Sequence, residues 1–233
     1  MSARAESVTV EAGTFDMPIW LPESGSGPGM LLIQEIWGVG PYIVEVAEEL
    51  AALGYVVAAP DLFWRVEPNY VGTHDEEGLK QAIEVSSRFE VETGVADLAA
   101  AVDHLAGLPE VSAGVGALGF CLGGTMAYLL AARTTLGAVV SFYGSGVPDS
   151  LNLLPDIDCP VQFHFGGSDP YIPREQVALV EQAVSGLPNV EIHVQEDGGH
   201  AFHNRLAPMF HQPEPAARAW ALTEAFLAKN LPV

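Results

Sequence analysis

Short apolar runs that alternate with helix-like segments constrain this chain more than any other feature. Residues 30–34 (MLLIQ), 55–59, 115–120, 138–143 and 161–165 are such runs, bounded by glycine or proline. Their content of valine, leucine and phenylalanine marks strands buried on both faces. Between and after them, residues 44–53, 93–105, 122–132, 174–184 and 216–229 carry helical spacing. Alternation at this pitch predicts an α/β fold, with a mostly parallel central sheet covered by helices on both faces. Residues 8–10 and 15–20 alternate in polarity and are expected to form an antiparallel edge. No repeat, low-complexity linker or shift in composition divides the chain, so a single domain over 1–233 is expected. The loosest segment, 63–78, contains Pro68 and Gly72 and reads as a loop that could overhang a pocket.

Composition narrows the function. Nine basic residues against 30 acidic ones leave a formal charge of −21. Phosphate contacts need a basic face, so neither duplex nucleic acid nor an anionic membrane is an expected partner. Residues 112–132 carry no charge and are long enough to suggest a membrane span. Gly114, Gly116, Gly119, Gly123 and Gly124 interrupt them, which suits a buried strand, a tight turn and a buried helix. Two cysteines are too few for a disulfide framework. The start, MSARAESVTVEAG, lacks the apolar core of a signal peptide, so a cytoplasmic protein is expected, a monomer or small homo-oligomer.

The same glycine-rich stretch holds two motifs. Gly114, Gly116 and Gly119 match the dinucleotide fingerprint, but the apolar strand lies inside the match and no acid follows at the required distance. No cofactor is therefore expected. GFCLGG, residues 119–124, has the form of a nucleophile elbow with Cys121 in the serine position, set between a strand and a helix. A strand-to-helix turn this sharp lifts the side chain above the sheet. The helix start then offers N–H groups and the positive end of a dipole, which favour a thiolate and a developing oxyanion.

An elbow predicts an acid and then a histidine, each past a later strand. The run 161–165 leads into GGSDP with Asp169, and 190–194 leads into QEDGGHAF with His200. Asp169 alone would read as a turn or helix cap, and Asp197 is a rival acid on the histidine loop itself. His200 and His203 lack a third ligand at a recognisable spacing, so no metal is expected. Glu35 ends the first central strand in QEIWG, where the sheet order brings it opposite the elbow. The amides of Ile36 and Leu122 are the expected oxyanion donors.

Taken together, QEIWGV, GFCLGG, GGSDPYIP and GGHAF resemble the dienelactone hydrolase (carboxymethylenebutenolidase) family of α/β-hydrolases, and the likeness covers most of the chain. The resemblance implies Cys121 as nucleophile, His200 as base and Asp169 as its orienting partner. It also implies Glu35 as a carboxylate that changes partner when substrate binds. Trp37 and Tyr143 match aromatic pocket positions and are expected to line the site, as is Phe202 after the histidine. A small-molecule lactone or activated ester is the implied substrate. The thiolate leaves more readily than an ordinary alkoxide, so enol lactones should outrun alkyl esters.

One departure bears on specificity. The family binds a substrate carboxylate through two arginines, and those positions here are Leu79 and Asn204. Lys80 and Arg205 are only adjacent, and Arg65 is left as a substitute. Competing readings are a carboxylesterase for neutral esters and a non-catalytic ligand-binding member of the fold. Cys159 reads as a buried residue at the start of a strand.

Overall fold

A computed structural model describes residues 3–233; the first two residues of the segment read for a leader lie outside them. A seven-stranded sheet runs in the order β3-β5-β4-β6-β7-β8-β9. Its strands are β3 (Ile19–Trp20), β4 (Gly27–Ile33), β5 (Val56–Ala58), β6 (Val111–Phe120), β7 (Val139–Phe142), β8 (Val161–Gly166) and β9 (Val190–Gln195). All neighbours pair in parallel except β3, which runs antiparallel to β5 at the edge. Every residue of β4 and β8 is buried, as continuous apolar runs require. The antiparallel element near the start is divided. β1 (Ser7–Val10) and β2 (Gly13–Asp16) form a separate two-stranded ribbon, and only β3 joins the main sheet.

Among the described residues, five α-helices and one 3-10 segment, Pro148–Asp156, lie between the strands, and a sixth α-helix follows the last strand. α1 (Pro41–Ala52) follows β4, whereas α2 (Glu76–Ser87) and α3 (Val91–Ala106) lie between β5 and β6. α4 (Leu122–Ala131), α5 (Arg174–Val184) and α6 (Pro213–Asn230) follow β6, β8 and β9. Because the chain moves outward from β4 to β5 and then returns across β4 to β6, right-handed crossovers put α1 and α3 on opposite faces. The strand order reverses between β4 and β6. A crevice opens at their carboxyl ends at such a switch point, and ligands bind there in open α/β sheets. Residues 34–38 and 121–124 leave the sheet at this place.

The uncharged stretch resolves into β6, a one-residue turn and α4, with no helix among the described residues long and apolar enough to cross a membrane. α4 is buried on nearly all sides, which explains its lack of charge. The fingerprint glycines Gly114, Gly116 and Gly119 all lie within β6, so they open no helix. The expected loop 63–78 ends earlier than its sequence suggests, because Asp75 caps α2 by accepting a 2.8 Å hydrogen bond from Gly78 N–H. Backbone bonding ties that loop to the site: Gly72 N–H donates to the Trp37 carbonyl at 3.0 Å.

Candidate active site

The elbow is held by close backbone packing. Cys121 sits at φ 53°, ψ −115°, a conformation an L-residue adopts only when its surroundings impose it. Its N–H donates to the Phe142 carbonyl and its own carbonyl accepts from Thr125 N–H, so both sides of the turn are fixed. A side chain at Gly119 would stand 2.0 Å from the Gly123 carbonyl oxygen, and one at Gly123 would stand 2.3 Å from that of Ile33. Glycine is required at both positions because α4 starts directly on the ends of β6 and β4.

The next two loops are joined in the same way. Gly167 N–H donates to the Gln195 carbonyl, and Ser168 N–H to that of Gly198. Gln212 Oε1 accepts from Gly199 N–H at 2.5 Å, anchoring the histidine turn to the start of α6. On this support His200 Nε2 lies 3.1 Å from Cys121 Sγ, and His200 Nδ1 lies 2.7 Å from Asp169 Oδ2. The other Asp169 oxygen accepts N–H bonds from Tyr171 at 2.7 Å and Ile172 at 3.2 Å, which fixes the carboxylate. Burial lowers the His200 pKa, but the charge of Cys121 and the hydrogen bond that Nδ1–H donates to Asp169 outweigh it, raising the value to about 10. An imidazolium is therefore well supported between these two partners. Asp197, the rival acid, points outward and pairs with Arg218 of α6.

Glu35 is buried at the end of β4. Asn204 Nδ2 donates to its Oε2 at 2.6 Å and the Tyr143 hydroxyl to its Oε1 at 3.5 Å. Burial raises its pKa to about 7; the Asn204 bond, the His200 charge and Tyr143 only partly oppose the rise. The thiol is turned to His200, while both Glu35 oxygens are taken by neutral donors.

A cavity of about 200 Å³ opens over Cys121 and His200. Ile36 and Trp37 border it from the β4 loop, Tyr171 and Phe210 from the far side, and Leu79 and Ile83 from α2. Tyr171 stands edge-on to the His200 ring, with centroids 5.0 Å apart. Leu122 is the first residue of α4, directly after the thiol.

Three residues expected to line the pocket are placed elsewhere. Arg65 forms a two-pronged pair with Asp97, at 2.8 Å for each bond, and lies over the Trp64 ring, away from the cavity. A guanidinium so satisfied by α3 is not available to a substrate here. Tyr143 and Phe202 are fully buried, ring against ring at 5.2 Å, and form the wall behind Glu35 and His200. His203 belongs to the core as well: its Nδ1 is 2.8 Å from the Tyr42 hydroxyl, and burial lowers its pKa to about 3.

Ile83, Tyr171 and Phe210 are lining residues that no sequence motif marks, and Leu79 and Asn204 stand out in the sequence only where arginines are missing. A signal existed for α2: Leu79, Ile83 and Ser86 repeat at helical spacing on an otherwise charged helix, and all three border the cavity. Cys159 is a buried free thiol just before β8, its pKa raised by burial to about 11.

Comparison with known proteins agrees with the geometry. The dienelactone hydrolase family profile matches residues 15–231. The chain is 34% identical to a carboxymethylenebutenolidase of Pseudomonas sp. (strain P51), covering 98% of this chain and 97% of the relative. Carboxymethylenebutenolidase 1 of Cupriavidus pinatubonensis (strain JMP 134 / LMG 1197) is 32% identical, with 91% of each chain covered. Among solved structures, a dienelactone hydrolase-like promiscuous phosphotriesterase from metagenomic libraries superposes with a TM-score of 0.82 at 25% identity, covering 98% of both chains. With its elbow cysteine, histidine and aspartate brought together at the switch point of an α/β-hydrolase sheet, the chain belongs to the dienelactone hydrolase family of hydrolases.

Proposed function

We propose that the protein opens a lactone or cleaves an activated, enol-type ester with Cys121 as nucleophile. The observation that carries this reading is the continuous contact from Cys121 Sγ through His200 to Asp169, at 3.1 and 2.7 Å, beneath a cavity. His200 Nε2 holds the thiol proton while Sγ attacks the carbonyl carbon. The oxyanion that forms is received by the N–H groups of Ile36 and Leu122, the latter at the positive end of α4. Collapse of the tetrahedral intermediate breaks the acyl–oxygen bond, and the Nε2 proton goes to the departing oxygen. A water then gives a proton to His200 and attacks the thioester, and collapse returns the thiol and the free acid. Asp169 holds the imidazole in the tautomer this requires.

Glu35 is assigned the first step of that proton transfer, taking the thiol proton as substrate enters and passing it to His200 Nε2 before the intermediate collapses, a role its pKa of about 7 supports. Because a thiolate is a better leaving group than an alkoxide, the intermediate reverts unless the substrate oxygen leaves as a stabilised anion. Enol lactones and aryl esters are therefore substrates and ethyl esters poor ones. The test is the steady-state rate of Cys121→Ala and Asp169→Asn on an aryl ester. The account expects losses on the order of 1,000-fold or more and 100-fold or more, respectively. Full activity in Cys121→Ala, or an ethyl ester hydrolysed faster than an aryl ester, contradicts it.

A further inference from the structure

The cavity's lining contains no lysine or arginine. The basic side chains all lie outside that lining. The chain has nine basic residues, and each is within 4 Å of an acidic partner: Arg4, Arg65, Lys80, Arg88, Arg133, Arg174, Arg205, Arg218 and Lys229. Arg205 in particular faces away from the cavity, held by Glu45 at 2.6 Å and Glu49 at 2.7 Å. The ionisable groups facing Cys121 and His200 include two buried carboxylates, Asp169 and Glu35, and Asn204 meets Glu35 as a neutral amide. An anionic substrate group would lose its hydration here and find no cation but the His200 imidazolium, already engaged by Cys121 and Asp169.

The surfaces that do face the cavity are apolar. Leu79 and Ile83 are one helical turn apart on α2 and point to the same side as Ser86. Trp37, Tyr171 and Phe210 add to this apolar lining, with Tyr171 and Ile83 more than half exposed. Exposed apolar side chains gathered around one reactive thiol are a feature that binding of an apolar group would explain.

Resting on the cysteine-hydrolase reading above, we infer that the substrate is an uncharged, apolar ester or lactone. Its hydrocarbon end lies in the channel between the Leu79–Ile83 stripe of α2 and the rings of Trp37 and Phe210. Leu79 is then the specificity-determining position, because an arginine placed there would be the first lysine or arginine to border the cavity.

The experiment compares 4-nitrophenyl hexanoate with the 4-nitrophenyl monoester of adipic acid, the same chain ending in a carboxylate, on the wild-type protein and on Leu79→Arg. The hexanoate is expected to be favoured in kcat/KM by about 100-fold, mostly through KM, because both esters share a leaving group. Leu79→Arg is expected to narrow that ratio at least about ten-fold, by lowering KM for the adipate. Leu79→Met, similar in volume, is expected to leave the ratio unchanged. An adipate ester turned over as well as the hexanoate by the wild type overturns the inference alone. Failure of both esters to react, with no acyl group on Cys121, contradicts the cysteine-hydrolase reading, and the inference falls with it.

Discussion

Glu35 is a carboxylate enclosed in the protein with only neutral hydrogen-bond donors, Asn204 and Tyr143, and its pKa is raised to about 7. A folded-state pKa above the unfolded value means the native protein holds this proton more tightly. Stability contributed at Glu35 is therefore present at low pH and is lost as pH rises from about 4.5 to about 7. Glu35→Gln removes that dependence while keeping an acceptor for Asn204. The variant should gain up to about 3 kcal/mol on the wild type between pH 5 and pH 8, read from urea unfolding at both. A difference that does not change with pH contradicts this assignment. His200 offers a complementary check. Since the Cys121 charge is the largest influence raising its pKa, Cys121→Ala should lower the value in an NMR titration of the imidazole. An unchanged titration means that the thiol is not its partner. Thiol labelling separates the two cysteines as well. Iodoacetamide near neutral pH should modify Cys121 and spare Cys159, whose burial raises its pKa to about 11.

Single elements differ in how openly the sequence announces them. The elbow was legible because strand, turn and helix each need a residue pattern there, and the patterns are contiguous. Gly119 and Gly123 make that requirement strict. Gly123→Ala would drive a methyl group against the Ile33 and Gln34 carbonyls, 2.3 and 2.5 Å from its position. A loss of about 3 kcal/mol or more in chemical denaturation is expected, with activity lost even where the protein folds. Asp169 and His200 were legible for a related reason: each follows directly on an apolar strand and a glycine turn. α2 was not, because its outward face is charged and Gly78 in its first turn reads as a breaker. Arg65 shows the opposite error. Its place in a loop near the pocket suggested a substrate contact, but Asp97, on α3 and distant in sequence, claims both prongs of its guanidinium. Tyr143, by resemblance, and Phe202, beside the histidine, were expected in the pocket, whereas packing against each other turns them into its rear wall. Pairings between distant segments leave no local trace, so sequence spacing could not supply them.

On the scale of the whole molecule, alternation of strands and helices was enough to foresee a parallel sheet, and strand order then fixed where the site could be. The reversal between β4 and β6 brings Glu35 and Cys121 to one crevice although 86 residues separate them in sequence. The net charge of −21 gives the molecule a field that on average repels anions. Raising salt from about 10 to about 300 mM shortens the Debye length from roughly 30 Å to below 10 Å. KM for a carboxylate-bearing ester should fall several-fold over that range while KM for a neutral ester stays within about two-fold. Equal responses would mean that the field plays no part in selection.

The central claim, that Cys121 carries the acyl group during turnover, is tested most directly by rapid quenching with a 4-nitrophenyl ester followed by peptide mass spectrometry. One acyl group is expected on the peptide containing Cys121, removed by hydroxylamine as a thioester is, and absent from Cys121→Ala. Turnover with Cys121 unmodified, or an acyl group found on another residue at the catalytic rate, would contradict it.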